Sequence, residues 1–322
     1  MPDQDAGQSA AVGPLTLVTV MREPLAIAQR FVAWHLAAGF DRVVIYFDDP
    51  DDPAIGPLEA TGQVQAVRCT PAFWAAIGTS AQERFVKRQI NALTHGFRAV
   101  TEGWVAVADA DELFCATGRP LRAVLADLPP EVRSVRVLPA EVVAVSGQEG
   151  SGRARFRTPF EGRGLSAVYG DAAWFVRKSR GMIGHREGKS LTRAGTRIAR
   201  MRQHFPVRRG WKPLTDRVLG PQDGLVLLHF AAEDYATWRG KLDWRLASNG
   251  FRPRVAGRLS DLLSASPDPE AELRELYDRL FRLSPDRFAL LGSLGGALEL
   301  PDTFAEPVRR YFGGAAPAAG AK

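Results

Sequence analysis

The first half of the sequence alternates between two hydrophobic periodicities, and this alternation limits the fold more than any other feature. Strand-like runs occupy residues 15–20 (LTLVTV), 42–47 (RVVIYF), 64–68 (VQAVR) and 104–108 (WVAVA). Between them, one helix is predicted to open after Pro24 and to end at Gly39, and a capping box from Ser80 to Glu83 predicts another that reaches about Arg98. Strands that alternate with helices indicate an α/β fold whose mostly parallel sheet is flanked by helices.

The second half is less regular. From about residue 140 the sequence contains short strand-like pieces with many glycines and arginines, and helical stretches follow at 233–247 and 268–283. We therefore predict a disordered N-terminus over residues 1–13, one domain over 14–250 with an irregular C-terminal half, a helical extension over 251–312 and a disordered tail over 313–322.

Composition and charge narrow the class of protein. Apolar residues make up 45% of the chain and charged residues 24%, and the net charge is +6. These values are typical of a globular protein whose partners are anionic. Because zinc-finger spacing and RNA-binding strand motifs are absent, a phosphate-bearing small ligand is favoured over nucleic acid. The sequence shows neither a bilayer-spanning apolar segment nor a signal peptide, so we expect a cytoplasmic protein and leave peripheral membrane contact open.

Two acidic clusters stand where predicted strands end. Asp109, Asp111 and Glu112 follow the fourth strand, and the run DDPDDP follows the second. Ligands of parallel sheets bind at the carboxyl ends of strands. Three carboxylates within four positions repel one another, which predicts a cation, a basic cluster or water among them. The alternative is a solvated acidic turn at each strand end.

Six segments follow one another along the chain: VTVMREP, FVAWHLAAGFDRVVIYFDD, ERFVKRQINAL, WVAVADADELF, GHREGKS and LLHF. Their order resembles the GT-A glycosyltransferases of family 2 type, in particular a bacterial branch akin to family 92. The resemblance implies a GT-A-like (Rossmann-like) fold and a hexosyltransferase-like enzyme. It also implies a nucleotide-diphosphate sugar donor, UDP-linked by our expectation, a divalent metal (Mn²⁺ or Mg²⁺) and inversion at the sugar carbon. We expect a saccharide as the acceptor.

Metal ligands are predicted on this resemblance. Asp111 would coordinate the ion directly, while Asp109 would join it or hold the donor ribose or a metal-bound water. His229 is the candidate third ligand because imidazole suits Mn²⁺, although a hydrogen-bonded core histidine is the alternative.

Donor-binding residues are predicted at strand ends and in a basic segment. The candidates are Arg22, Glu23, Asp48, Asp49, Arg84, Asp109, His185 and Lys189. Arg84 and Arg88 lie four apart on one predicted helix face, where they would reach a diphosphate or stay in water. Residues 177–193 combine basic side chains with Gly181, Gly184 and Gly188, which permit a close approach to an anion. A basic surface loop is the alternative for that segment.

An inverting transfer also needs a general base, normally Asp or Glu. Glu141, Asp171, Glu187 and Asp216 are candidates, and we choose Glu187 because it lies between His185 and Lys189. Four tryptophans are expected to bind the acceptor or to form core: Trp174, Trp211, Trp238 and Trp244.

Two other classes of protein are considered. A non-catalytic nucleotide-sugar or carbohydrate-binding module is the main alternative, because a degenerate transferase would keep the fold. A phosphatase of the haloacid dehalogenase type is disfavoured, because Leu113 stands where that motif requires Thr or Val.

Overall fold

The computed structural model describes residues 12–160, 164–248 and 250–313. The predicted disordered ends fall outside these residues, except for residues 12, 13 and 313. The strands are β1 Leu15–Met21, β2 Arg42–Phe47, β3 Val64–Arg68, β4 Trp104–Val107, β5 Glu112–Ala116, β6 Ser134–Val137, β7 Pro139–Val142, β8 Ala144–Val145, β9 Arg153–Arg157, β10 Lys189–Arg193, β11 Arg200–Met201, β12 Pro206–Val207, β13 Arg217–Leu219, β14 Leu225–His229, β15 Arg282–Leu283 and β16 Ala297–Pro301. The α-helices are α1 Leu25–Ala37, α2 Ile55–Glu59, α3 Pro71–Ala76, α4 Phe85–Ala99, α5 Leu121–Ala126, α6 Leu165–Tyr169, α7 Ala173–Val176, α8 Tyr235–Ala247, α9 Pro253–Ala265, α10 Pro269–Phe281, α11 Pro285–Ser293 and α12 Ala305–Phe312.

The chain forms two compact units, each built from separate stretches of sequence. The described residues of the first unit are 12–139, 187–227 and 303–313, and those of the second are 140–160, 164–186, 228–248 and 250–302. The predicted domain boundary between residues 250 and 251 stays a prediction.

The first unit contains a seven-stranded sheet with the order β13-β6-β10-β4-β1-β2-β3. The β4-β1-β2-β3 part is parallel throughout, with Val18 opposite Val107 and Met21 opposite Phe47. Strand β10 runs antiparallel between β4 and β6. The sheet is therefore mixed, and its parallel half has the strand order of a Rossmann-like nucleotide-binding fold. The predicted α/β class is confirmed at this level.

Close packing against β1 holds α4 in place. All seven residues of β1 are buried. Ala92, Leu93 and Phe97 of α4 pack in the same hydrophobic core. A Cβ atom at Gly96 would lie only 2.6 Å from Val18 Cγ1, so α4 approaches the sheet more closely than a side chain at this position would allow. This contact sets how closely α4 packs against β1.

The start of α4 differs from the prediction. The helix begins at Phe85 and not at Ser80, because Ser80 and Glu83 form a turn in which the Glu83 amide donates to the Ser80 carbonyl. The Arg88 side chain stabilises this turn by donating to the carbonyls of Ala81 and Glu83, at 3.1 and 2.6 Å. The capping-box prediction was therefore wrong. The Arg88 side chain binds the carbonyls of Ala81 and Glu83, which backbone amides would bind if the helix began at Ser80.

The second unit combines the antiparallel pairs β7-β9 and β9-β16 with helices α6 to α11. Its core includes Val168, Tyr169, Trp238 and Leu280. The predicted helices at 233–247 and 268–283 are confirmed as α8 and α10, whose first turns are capped by the Asp234 and Asp268 carboxylates. Within the described part of the chain, every helix is too short or too polar to cross a bilayer.

Candidate functional site

Three parallel strands of the first unit end at one edge of the sheet. Arg22 and Glu23 follow β1, Asp48 follows β2, and Asp109 lies two residues beyond β4. Because β1 lies between β2 and β4, this edge includes the point where strand order reverses, which is the usual ligand site of an open α/β sheet. Arg22 and Glu23 are exposed there. The edge therefore brings together predicted donor-binding residues that are far apart in sequence.

The Lys189 ammonium supplies a positive charge to the acidic loop after β4. Its Nζ lies 2.6 Å from Asp109 Oδ2 and 3.1 Å from Glu112 Oε2, and its side chain is only 1% exposed. Burial by itself lowers the pKa of Lys189, but the charges of Asp109 and Glu112 outweigh this effect and raise it. The sequence left open whether a cation, a basic cluster or water lies among these carboxylates. Within the first unit, a basic residue lies there.

Further hydrogen bonds fix the Asp109 carboxylate. Gln89 on α4 donates to Asp109 Oδ1 at 2.8 Å, while Lys189 holds Oδ2. The Asp109 amide donates to Glu112 Oε2 at 2.7 Å. Asp111 is half-buried on the same loop. Gln89 was not predicted as a site residue, because nothing in the sequence connects it to the loop 20 residues later.

The acidic run after β2 contains a strong ion pair. Arg88 on α4 binds both oxygens of Asp48, with Nε to Oδ1 at 3.0 Å and Nη2 to Oδ2 at 2.5 Å. Asp49 is exposed and accepts from the Asp51 amide, which is a turn contact. Arg84 is exposed at the start of α4. The donor-binding roles of Asp48, Asp49 and Arg84 stay predictions.

Gly188 permits β10 to reach the site. The residue has φ +70°, and a Cβ atom there would lie 1.8 Å from the Val137 carbonyl oxygen. The glycine is therefore required by the approach of two backbone segments, and it places Lys189 at the start of β10. Glu187, the predicted base, pairs with Arg136 at 2.7 Å, and its side chain is 40% exposed.

The second unit brings His185 and His229 together. Their ring centroids are 5.0 Å apart, with the planes inclined by 35°. His229 ends β14 and is 7% exposed, and its Nδ1 lies 3.7 Å from Glu141 Oε1. Burial by itself raises the pKa of Glu141, but the nearby His229 and Arg157 lower it to about 2. The buried carboxylate is thus held in its charged form.

The residues present fit a divalent metal. Among the described residues, side chains that could hold a metal ion include Glu112 in the first unit and His185 and His229 in the second. Carboxylate and imidazole are both ligands that Mn²⁺ accepts. His229 is a predicted ligand, whereas Glu112 and His185 were not predicted as ligands. Coordination by Asp109 and Asp111 stays a prediction.

The four tryptophans have different environments. Trp238 is 3% exposed in the core of the second unit, and Trp174 packs against that core beneath the Arg258 guanidinium. Trp211 and Trp244 are 63% and 61% exposed. Only these last two present a broad aromatic surface to solvent, and acceptor binding by tryptophan stays a prediction.

Comparisons with known proteins add little. Neither a family model nor a curated protein matches the sequence. Among solved structures, the chain is similar to a 4-diphosphocytidyl-2C-methyl-D-erythritol synthase at 15% identity, with a TM-score of 0.24. The match covers 42% of this chain and 65% of that one, slightly less than two thirds of its length. A likeness of this size carries no argument about activity, so a functional conclusion depends on the site.

Proposed function

We propose that the protein is a metal-dependent glycosyltransferase that moves a sugar from a UDP-linked donor to a saccharide acceptor with inversion. One observation supports this proposal: acidic and basic side chains from the ends of β1, β2 and β4 share one edge of a Rossmann-like half-sheet. Nucleotides bind at this edge in folds of this kind. The GT-A assignment is part of the same proposal.

The donor would lie along this edge. Asp48, held by Arg88, and the exposed Asp49 would contact the base or ribose, as would Arg22 and Glu23 after β1. Arg84 and His185 would contact the diphosphate. Lys189 would act on the donor through Asp109, because both oxygens of that carboxylate are fixed by Lys189 and Gln89.

A divalent metal would be held by Asp111 and Asp109 with His229, and His185 would supply a further ligand atom beside His229. A bound divalent cation stabilises the negative charge that develops on a nucleoside diphosphate leaving group. Glu187 would accept the proton of the acceptor hydroxyl. Its carboxylate lies 2.7 Å from Arg136 and is 40% exposed, so an acceptor hydroxyl could reach it from solvent.

A non-catalytic nucleotide-sugar-binding module is the second candidate. The observation that favours it is the buried ammonium of Lys189, which compensates Asp109 and Glu112 within the first unit. Because Lys189 balances these carboxylates, the acidic loop after β4 does not need a metal ion for its stability. A protein that binds nucleotide-sugars without metal could therefore have the same loop.

Thermal unfolding with UDP separates the two candidates. A ligand that binds only the native state raises the melting temperature. The transferase predicts that UDP with Mn²⁺ stabilises the protein more than UDP with EDTA, and that Mn²⁺ supports hydrolysis of a UDP-sugar. Equal stabilisation in the two conditions without hydrolysis would favour the binding module. No stabilisation by UDP in either condition would reject both.

A further inference from the structure

Glu141 on β7 is a buried carboxylate that contacts three different segments of the second unit. Its side chain is 2% exposed. The amides of Ile183 and Gly184 donate to its two oxygens at 2.7 and 2.6 Å. Arg157, which faces it across the β7-β9 pair, places Nε 3.2 Å from Oε2. Both oxygens are therefore engaged, and the charge is balanced by a buried guanidinium.

The same carboxylate lies beside His229 and binds the segment that precedes His185. Oε1 is 3.7 Å from His229 Nδ1, which exceeds the ~3.0 Å of a direct hydrogen bond, so the contact is electrostatic. Through the amides of residues 183 and 184, Glu141 also holds the backbone that leads directly into His185. One side chain thus contacts the His229 ring and binds the segment that leads into His185.

Gly184 leaves no room for a side chain at this place. A Cβ atom there would lie 2.6 Å from His229 Cε1, 3.0 Å from His229 Nδ1 and 2.8 Å from Glu141 Oε1. The Nδ1 edge of the imidazole therefore rests against the Gly184 backbone and the carboxylate.

We propose that Glu141 is a positioning residue that orients His185 and His229 as a pair of metal-binding imidazoles, and that Gly184 is the steric requirement of this arrangement. The inference rests on the metal of the proposed function. Carboxylates that orient metal-bound histidines fix the ring and raise its basicity, and their loss typically weakens metal binding by about 10–100-fold.

A purely structural role for Glu141 makes a different prediction. The Glu141–Arg157 pair joins β7 to β9, and a structural pair would affect stability without a selective effect on metal affinity. The test therefore measures metal binding by folded protein and does not depend on turnover.

The experiment uses the full chain and two variants, Glu141→Gln and Gly184→Ala. Gly184→Ala changes neither Glu141 nor Arg157, and it places a methyl group against His229 and the carboxylate. The matched controls are Glu299→Gln, whose carboxylate pairs with Arg153 and Arg155 at a more exposed site, and Gly257→Ala on α9, where a Cβ meets open space. Mn²⁺ affinity is measured by titration with electron paramagnetic resonance. The absorption bands of Co²⁺ report histidine ligation, and the metal-free melting temperature reports folding.

We expect both variants to bind Mn²⁺ about 10–100-fold more weakly and to change the Co²⁺ bands, while both controls behave as wild type. Wild-type Mn²⁺ affinity in folded Gly184→Ala would overturn the inference and leave the proposed function standing. Absence of Mn²⁺ binding by the wild-type protein would overturn the metal in the proposed function and this inference with it. If Glu141→Gln does not fold, the Mn²⁺ affinity of Gly184→Ala alone tests the inference.

Discussion

The Lys189 ammonium lies 2.6 Å from the Asp109 carboxylate, although the two residues are 80 positions apart in the chain. Lys189 begins β10, which runs antiparallel to β4, and Asp109 follows β4. The charge balance of the acidic loop is therefore set by the pairing of two strands. A nucleotide that binds at this edge would meet a loop whose orientation is already fixed.

Replacement of Lys189 by Met should destabilise the fold. The change leaves Glu112, which is fully buried, and Asp109 without their shared ammonium. Breaking a buried pair in this way typically costs about 3–5 kcal/mol. The free energy of unfolding, measured with urea, tests this expectation. Lys87→Met is the control, because Lys87 pairs with Glu83 at an exposed site and should change stability by less than about 1 kcal/mol. Equal effects of the two changes would contradict the expectation.

Stability should decrease with acidity because of His35. The ring is fully buried on α1, accepts from the Phe114 amide and contacts the Phe31 carbonyl, and burial lowers its pKa from 6.5 to about 3. Below pH 6.5 the unfolded chain takes up a proton that the folded protein does not, so stability is lost as the pH falls from 6.5 toward 3. The loss is about 1.4 kcal/mol per pH unit.

Urea unfolding at several pH values between 5 and 7 measures this slope. Between pH 6.5 and 5, the His35→Asn variant should lose about 2 kcal/mol less unfolding free energy than the wild type. The control is His95→Asn, at an exposed position. An unchanged slope in His35→Asn would show that other groups produce the pH dependence.

Asp111→Asn should abolish the Mn²⁺-dependent part of UDP binding while the fold stays intact. The substitution removes a proposed ligand charge and changes little volume. Melting curves with UDP and Mn²⁺ measure the effect, and the metal-free melting temperature reports folding. Asp127→Asn, at an exposed Arg119 pair, is the control. A variant that retains wild-type donor hydrolysis in Mn²⁺ would remove Asp111 from the metal site.

Arg88→Met should affect both stability and nucleotide binding. The Arg88 guanidinium holds Asp48 by two hydrogen bonds and stabilises the turn before α4. The Arg88 side chain is 14% exposed and the Asp48 side chain is 8% exposed. We expect a loss of about 3 kcal/mol and weaker UDP binding, since Asp48 loses its fixed orientation. Arg88→Lys should fall in between, because lysine keeps the charge but not the two-pronged geometry. Urea unfolding and UDP titration measure these effects, with the exposed Arg217→Met as control. Wild-type stability in Arg88→Met would contradict them.

Glu187→Gln should slow sugar transfer far more than it weakens UDP binding. Removal of a general base typically costs about 10²–10⁴ in rate. The measurement is transfer to a panel of bacterial cell-surface oligosaccharides, with UDP titration of the same variant and Glu299→Gln as control. Unchanged transfer would exclude Glu187 as the base. Transfer to proteins or lipids alone would exclude the saccharide acceptor.

Local sequence determined the central elements of the first unit. The predicted runs 42–47 and 64–68 coincide with β2 and β3, and β1 and β4 each differ from their predicted runs by one residue. Strand and helix periodicities act between residues a few positions apart, so they can be read without the fold. Even the position of Asp48 and Asp109 at strand ends followed from this local signal.

Tertiary structure decided what surrounds those residues. The start of α4 was mispredicted because the Arg88 side chain stabilises a turn where the local pattern indicated a helix. The contacts of Glu141 with the segment that precedes His185 join residues more than 40 positions apart. Such pairs depend on strand order, register and close backbone approach, and a sequence pattern encodes none of these locally. The types of charged group were visible in the sequence, whereas their partners were set by which strands lie side by side.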